Sequence, residues 1–212
     1  MAKYPIFLEM AGRRAVVIGA GPVALRKIQG LAKAGARVTV VAEQVLPEIE
    51  EILLQMNTKI ILSRYHKDFL VSAVLVIAST NVAELNRRIY EDCQELEILC
   101  NVADQPELCD FFVPAVVKRG DLQIAIGTEG HCPAYAGHLR QKLEEIFTES
   151  HGQFVEELAK VRTRIIETIP DSDQRKVLLG KLASDDSFQY FTEHGPTQWH
   201  HHAEELIQQC PL

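Results

Sequence analysis

The chain has 212 residues, 47% of them hydrophobic, and its 22 Lys and Arg against 29 Asp and Glu give a net charge of −7. That length suits one domain with an appendage or two small domains, and the acidic balance argues against a nucleic-acid or anionic-membrane partner unless basic residues gather locally. The opening MAKYPIFLEMAGRR lacks the apolar run of a signal peptide, and no later run approaches the roughly 20 residues that span a bilayer, so a cytoplasmic protein is expected.

Residues 14–104 alternate apolar runs with helical patterns, as strands joined by crossover helices in a parallel sheet do. The expected strands are Ala15–Ile18, Arg37–Val41, Lys59–Leu62, Val74–Ala78 and Ile98–Val102. Ala24, Ile28, Leu31 and Ala32 share one helical face after the first strand, with Gly35 as the stop. Further helices are expected over Pro47–Gln55 and Ala83–Leu96, and four strand-helix steps of this kind make a doubly wound, Rossmann-like sheet. Phe111–Val117 and Leu122–Ile126 then flank Lys118-Arg-Gly-Asp121 as an antiparallel hairpin.

From Pro133 the chain turns helical, with one stripe of Leu139, Leu143, Ile146 and Phe147 and another of Phe154, Leu158, Val161 and Ile165. Pro170-Asp-Ser-Asp173 interrupts it, and short helices are expected at Lys176–Leu182 and Ala203–Gln209. The division is therefore a nucleotide-type domain over 1–113, a hairpin and helix over 114–147, and a small all-helical domain over 148–212.

Gly19-Ala-Gly21-Pro22-Val23-Ala24 fits G-x-G-x-x-[GA] after a strand and at the start of a helix. There the first glycine makes the turn, the second lets the backbone approach a pyrophosphate, and a small third residue permits close helix packing. The helix N-terminus offers N–H groups and partial positive charge to the phosphates, and Pro22 loses no hydrogen bond in a first turn. Glu43, just past the second strand, is the candidate ribose ligand, and its carboxylate would repel a 2′-phosphate, which favours NAD over NADP.

The segment Asn101-Val-Ala-Asp104-Gln-Pro-Glu107 follows the fifth strand, at the sheet edge where doubly wound proteins place their sites. From the residues alone, Asp104 reads equally as a group near the reacting end of a cofactor or as a helix N-cap in a capping box with Glu107. The five cysteines, Cys93, Cys100, Cys109, Cys132 and Cys210, form no CxxC pair. Reduced, mostly buried thiols are expected, with no disulfide framework and no metal site.

Taken together, YPIF at Tyr4–Phe7, VVIGAGPVALRK, VIASTNVAELNRRI, CNVADQPELCDFFVPAVVKRGDLQIAIGT and the helix opening at Pro133-Ala134 resemble the precorrin-2 dehydrogenase / sirohydrochlorin ferrochelatase family, the N-terminal module of siroheme synthases. The resemblance runs from about Tyr4 to Glu144. It implies NAD-dependent oxidation of the tetrapyrrole precorrin-2 to sirohydrochlorin, and in bifunctional members insertion of ferrous iron as a second substrate. It also implies a homodimer whose interface is the middle segment, about Pro114 to Phe147.

By the same resemblance, the catalytic aspartate falls on Asp104 and the cofactor loops on Gly19–Val23, Glu43-Gln44 and Thr80-Asn81. One carboxylate there could take the proton released on oxidation and the pyrrole protons displaced by iron. Thr128 stands where the family often carries a serine, phosphorylated in some members, and Glu129, His131 and Cys132 also depart from its small neutral residues. Thr128, His131 and Arg119 are the candidate substrate contacts, with Arg87, Arg88, Lys118, Arg140 and Lys142 as further cations for a substrate bearing carboxylates. His131 reads alternatively as a solvated loop histidine, and His200–His202 as surface. The alternative of a different class is a non-catalytic NAD-sensing regulatory module whose helical tail transmits the bound state.

Overall fold

The computed structural model describes residues 3–209, so the thiol expected at Cys210 lies outside the described residues. The chain divides into two compact units, 1–113 and 114–212.

In the first unit five parallel strands, β1 (Arg14–Ile18), β2 (Arg37–Ala42), β3 (Lys59–Leu62), β4 (Leu75–Ala78) and β5 (Leu99–Val102), run in the order β3-β2-β1-β4-β5. Their apolar runs follow from burial on both faces. Ala15 and Val17 of β1 join Leu75 and Ile77 of β4 beneath helices α1 (Pro22–Lys33) and α2 (Pro47–Gln55), which contribute Ala24, Ile28, Ile49 and Leu53. Val16, Ile18, Val76 and Ala78 face the other way, against Ile89 and Cys93 of α3 (Ala83–Glu95). Helices on both faces make the sheet doubly wound, and the strand order reverses between β1 and β4.

One of the four expected strand-helix steps is absent. Between β3 and β4 the chain forms only a 3-10 turn, Lys67–Leu70, anchored by the fully buried Leu70. The connection passes β2 and β1 with Leu70 as its main apolar anchor, and one such residue does not supply the stripe that an amphipathic helix needs. Arg14 donates to the Phe69 carbonyl at 2.9 Å and also to that of Val71, holding the turn to the start of β1.

The second unit opens with the hairpin of β6 (Ala115–Arg119) and β7 (Leu122–Ile126). Arg119 pairs with Leu122, so the turn is the two residues Gly120-Asp121 rather than the four expected, and Gly120 supplies the positive φ (52°) that such tight turns need. Phe111–Val113 is not part of β6, because Pro114 has no N–H for a ladder. Helices α4 (Pro133–Ile146), α5 (Glu149–Thr168), α6 (Ser172–Leu182) and α7 (Asp185–Gln208) follow.

The expected short helix at 203–209 is the end of the much longer α7, which is kinked where Gly195 leaves helical geometry (φ 80°, ψ 172°) before Pro196. That pair of helix breakers hides in the sequence a helix whose buried residues, Phe191, Trp199, Ala203 and Ile207, lie on both sides of the kink. Phe154 of α5 sits 5.2 Å from the rings of Phe188 and Phe191 and 5.4 Å from Trp199, whose indole N–H donates to Ser187 Oγ at 2.8 Å.

Candidate active site

The carboxyl edge of the parallel sheet collects the loops after β1, β2, β4 and β5. Gly19 N–H donates to the Val41 carbonyl and Ser79 N–H to that of Ile18, both at 2.9 Å, and Ala103 N–H to that of Ala78 at 2.8 Å, so the loops leave the ladder side by side. Gly19 has φ 109°, and a Cβ on it would lie 2.5 Å from the Ser79 carbonyl oxygen. Its glycine is thus required twice, by conformation and by the close approach of β4.

Gly21 is different. It is the N-cap of α1 with φ −85°, and nothing lies within 4 Å of where its Cβ would be. No side chain caps the helix, its first turn holds no acidic residue, and Pro22 occupies the start. First-turn N–H groups without a protein acceptor, behind open space, are what a pyrophosphate requires. Pro22 and Val23 open the helix at this point, and the residues present fit a dinucleotide.

Glu43 is the first residue beyond β2 and lies exposed beside Gln44, its carboxylate 3.6 Å from Arg64 Nε. After β4, Thr80 is held by Asn86, a 4%-exposed residue of α3. Thr80 N–H and Oγ1 donate to Asn86 Oδ1 at 3.2 and 2.7 Å, and Asn86 Nδ2 donates back to the Thr80 carbonyl at 3.0 Å. This clamp sets the loop and leaves Asn81 exposed at the edge.

Asp104 is not a helix cap. The helical turn after it is the three-residue Pro106–Leu108, whose N-cap is Gln105 with no side-chain cap bond, so the capping box with Glu107 does not form. Asp104 sits exposed in a turn with φ 60°, a left-handed conformation that Asp tolerates better than most residues. Among the described residues its carboxylate accepts no hydrogen bond.

The base of its loop is closed by an Asn101–Cys109 bridge and by Asp110 N–H donating to the Cys100 carbonyl at 2.8 Å. Cys100 N–H in turn donates to Asp110 Oδ2 at 2.8 Å, and the Cys109 thiol reaches the carbonyls of Val102 and Gln105 at 3.2 and 3.3 Å. Asp104 is thus an exposed carboxylate at the tip of a loop whose base is pinned.

Sequence reasoning missed three polar residues that build this edge, Asn86, Lys27 and Asn101. Lys27 on α1 donates to Asn101 Oδ1. Desolvation pushes its ammonium below the ordinary lysine range, against the opposing pull of Cys109 and Asp104. Asn101 interrupts the apolar run of its strand, a signal that could have found it, whereas Asn86 and Lys27 stand beside other polar residues of their helices.

Arg119, Thr128 and His131 belong to the second unit. The Arg119 guanidinium binds Glu149 Oε1 at 3.3 Å and the carbonyls of Lys118 and Glu144 at 2.9 and 3.2 Å, which ties the hairpin to its helices. Thr128 Oγ1 accepts from Cys132 N–H at 3.1 Å, and its carbonyl accepts from His131 N–H at 2.9 Å, steadying the turn before α4. The His131 side chain is exposed. Of the described cysteines, Cys93 and Cys100 are buried, Cys109 half-buried and Cys132 exposed, all as free thiols. No metal-binding group of three or more His, Cys, Asp or Glu occurs among the described residues. None of the described helices is long and apolar enough to cross a membrane.

A family model described as "Putative NAD(P)-binding" matches residues 6–115. The siroheme synthase of Thioalkalivibrio sulfidiphilus is 36% identical over 173 residues, covering 82% of this chain and 35% of that protein. The siroheme synthase of Pseudomonas aeruginosa is 36% identical over 178 residues, 84% of this chain and 38% of its own length. The chain thus spans little more than a third of the curated relatives it matches. The solved structure of SirC, a precorrin-2 dehydrogenase, superposes with a TM-score of 0.77 at 24% identity, covering 96% of this chain and all of that one, and shares the fold.

Proposed function

This chain belongs to the NAD(P)-binding family whose model covers residues 6–115, and on that premise we propose that it is an NAD-dependent dehydrogenase oxidising precorrin-2 to sirohydrochlorin in siroheme biosynthesis. The observation that carries the proposal is the placement of Asp104, an exposed carboxylate without a hydrogen-bonded partner among the described residues, on the same sheet edge as the Gly19–Val23 turn. Resemblance to siroheme synthases supplies the substrate class.

When bound, the nicotinamide supplies a two-electron hydride acceptor. The Gly21–Val23 backbone and the α1 N-terminus hold the pyrophosphate, Glu43 and Gln44 meet the adenosine ribose, and Thr80 and Asn81 border the cofactor after β4. Glu43 favours NAD by repelling a 2′-phosphate. Oxidation of the tetrapyrrole releases a hydride and a proton, and Asp104 accepts the proton. The same carboxylate could take pyrrole protons as ferrous iron enters, so ferrochelation of sirohydrochlorin is the second activity to test.

The partner is a second copy of the chain, joined through residues 114–147. Exposed Val116, Tyr135 and Ile146 of that segment, at 37%, 55% and 60%, provide apolar surface for it. Light scattering reads the dimer directly.

NADH formation from precorrin-2 and NAD tests the proposal, and no NADH sinks it. Ferrous-iron insertion into sirohydrochlorin, with and without the protein, decides the second activity.

A further inference from the structure

We propose that Lys27 is a positioning residue for Asp104, holding through Asn101 the base of the loop that carries the carboxylate. The inference rests on Asp104 being the proton acceptor. Lys27 lies on the second turn of α1 and its Nζ donates to Asn101 Oδ1. Asn101 is only 5% exposed, and its Nδ2 donates to the Phe111 carbonyl at 2.8 Å and lies 3.4 Å from Cys109 Sγ. One amide therefore joins three parts of the chain: α1, β5 and the segment Cys109–Phe111 that returns beside it.

The returning segment and β5 are the two ends of the Asp104 loop, so the hydrogen bonds of the Asn101 amide set the spacing of that loop's base. The Phe111 carbonyl can only accept, so it takes Nδ2 and leaves Oδ1 toward α1. The Lys27 ammonium donates and cannot accept, so Oδ1 must face it and Nδ2 must face Phe111 and Cys109.

A lysine is a costly residue for this work. Burial opposes its charge, and the nearby Asp104 carboxylate is among the groups that favour keeping it. A methionine or leucine would fill the same space with no such opposition, so the charge itself has a use here. Lys27 also stands one helical turn beyond the Gly21–Ala24 mouth, which makes α1 a common frame for the phosphate cradle and the proton acceptor. Removing the ammonium leaves the cradle intact but leaves the buried Asn101 Oδ1 without its donor, which loosens the base of the loop, so turnover and cofactor affinity respond separately.

The test compares Lys27→Met, which keeps the stem without the charge, and Lys27→Arg, which keeps a cationic donor, in the full chain. Three readouts are taken: NAD affinity by calorimetry, steady-state oxidation of precorrin-2, and amide hydrogen exchange over residues 102–110. Lys27→Met should bind NAD within about twofold of the parent, lose about 10- to 100-fold in kcat, and exchange faster at 103–108. Lys27→Arg should recover most of the turnover.

Unchanged kcat in Lys27→Met overturns the proposal. So does a parallel loss of NAD affinity and kcat, or equal impairment of both variants. If the parent chain itself leaves precorrin-2 unoxidised, the dehydrogenase reading falls, and the exchange measurement alone then decides whether Lys27 holds the loop.

Discussion

The two glycines of the turn should respond in opposite ways to the same added methyl group. At Gly19, alanine must adopt φ 109° and place its Cβ 2.5 Å from the Ser79 carbonyl. The backbone conformation costs about 1–3 kcal/mol, and relieving the overlap costs about 1–3 kcal/mol more. A total near 3 kcal/mol should lower the melting temperature of a unit this size by about 12 °C. At Gly21 the conformation is ordinary and the space is open. The poorer N-cap propensity of alanine costs a few tenths of a kcal/mol or somewhat more, and the stiffer unfolded chain offsets about 0.4–1 kcal/mol. Gly21→Ala should therefore melt within a few degrees of the parent, yet bind NAD at least about tenfold more weakly, or 1.4 kcal/mol, because its methyl occupies the approach to the helix N-terminus. Circular dichroism is the right probe of melting, since the single tryptophan, Trp199, lies in the other unit and would report that one; calorimetry supplies the affinity. Parental NAD affinity in Gly21→Ala would refute the phosphate cradle, and parental melting in Gly19→Ala would refute the close approach of β4.

Asp104→Asn should bind NAD like the parent and lose about 100-fold or more in NADH formation from precorrin-2; equal turnover would remove Asp104 from the chemistry. Asn86→Leu should cost about 1–3 kcal/mol in urea unfolding, because it strips the buried partners of Thr80, and should weaken NAD as the loop after β4 loosens. Glu157 of α5 binds Lys160 at 2.8 Å and also His200, and the Lys160 hydrogen bond leads in holding its carboxyl below the ordinary value of 4.5 despite opposing desolvation. Its contribution to the second unit is therefore complete above the unfolded-state pKa and is lost as the pH falls through the lower folded value. The stability gap between parent and Glu157→Gln, measured by tryptophan fluorescence, should close on acidification.

The parallel sheet was legible because strands buried on both faces leave continuous apolar runs, as AVVI and LVIA do, and because Gly and Pro punctuate them. The β3–β4 connection was not, since one buried leucine in a 3-10 turn writes no period. Asp104-x-x-Glu107 spells a capping box, but Pro106 opens only three helical residues, and a box needs a helix to cap. Lys27 illustrates a different limit. A lysine three residues after Ala24 reads as the solvated margin of an apolar stripe, and its partner Asn101 lies on a strand that only the fold brings near.

The choice between a dehydrogenase and a cofactor-sensing module turns on what the β5 loop needs to be. A sensor requires the glycine turn and an element that moves on binding. It gives no reason for an exposed carboxylate at φ 60° on a loop whose base is pinned by Asn101, Cys109 and Asp110, since a pinned loop is a poor moving part. A proton acceptor needs that arrangement, because small displacements from the reacting geometry cost large factors in rate. The Lys27 ammonium, donating to Asn101 at the base of the same loop, adds to that pinning. Titration with NAD and with sirohydrochlorin separates the two directly, because a sensor binds the first alone and a dehydrogenase binds both.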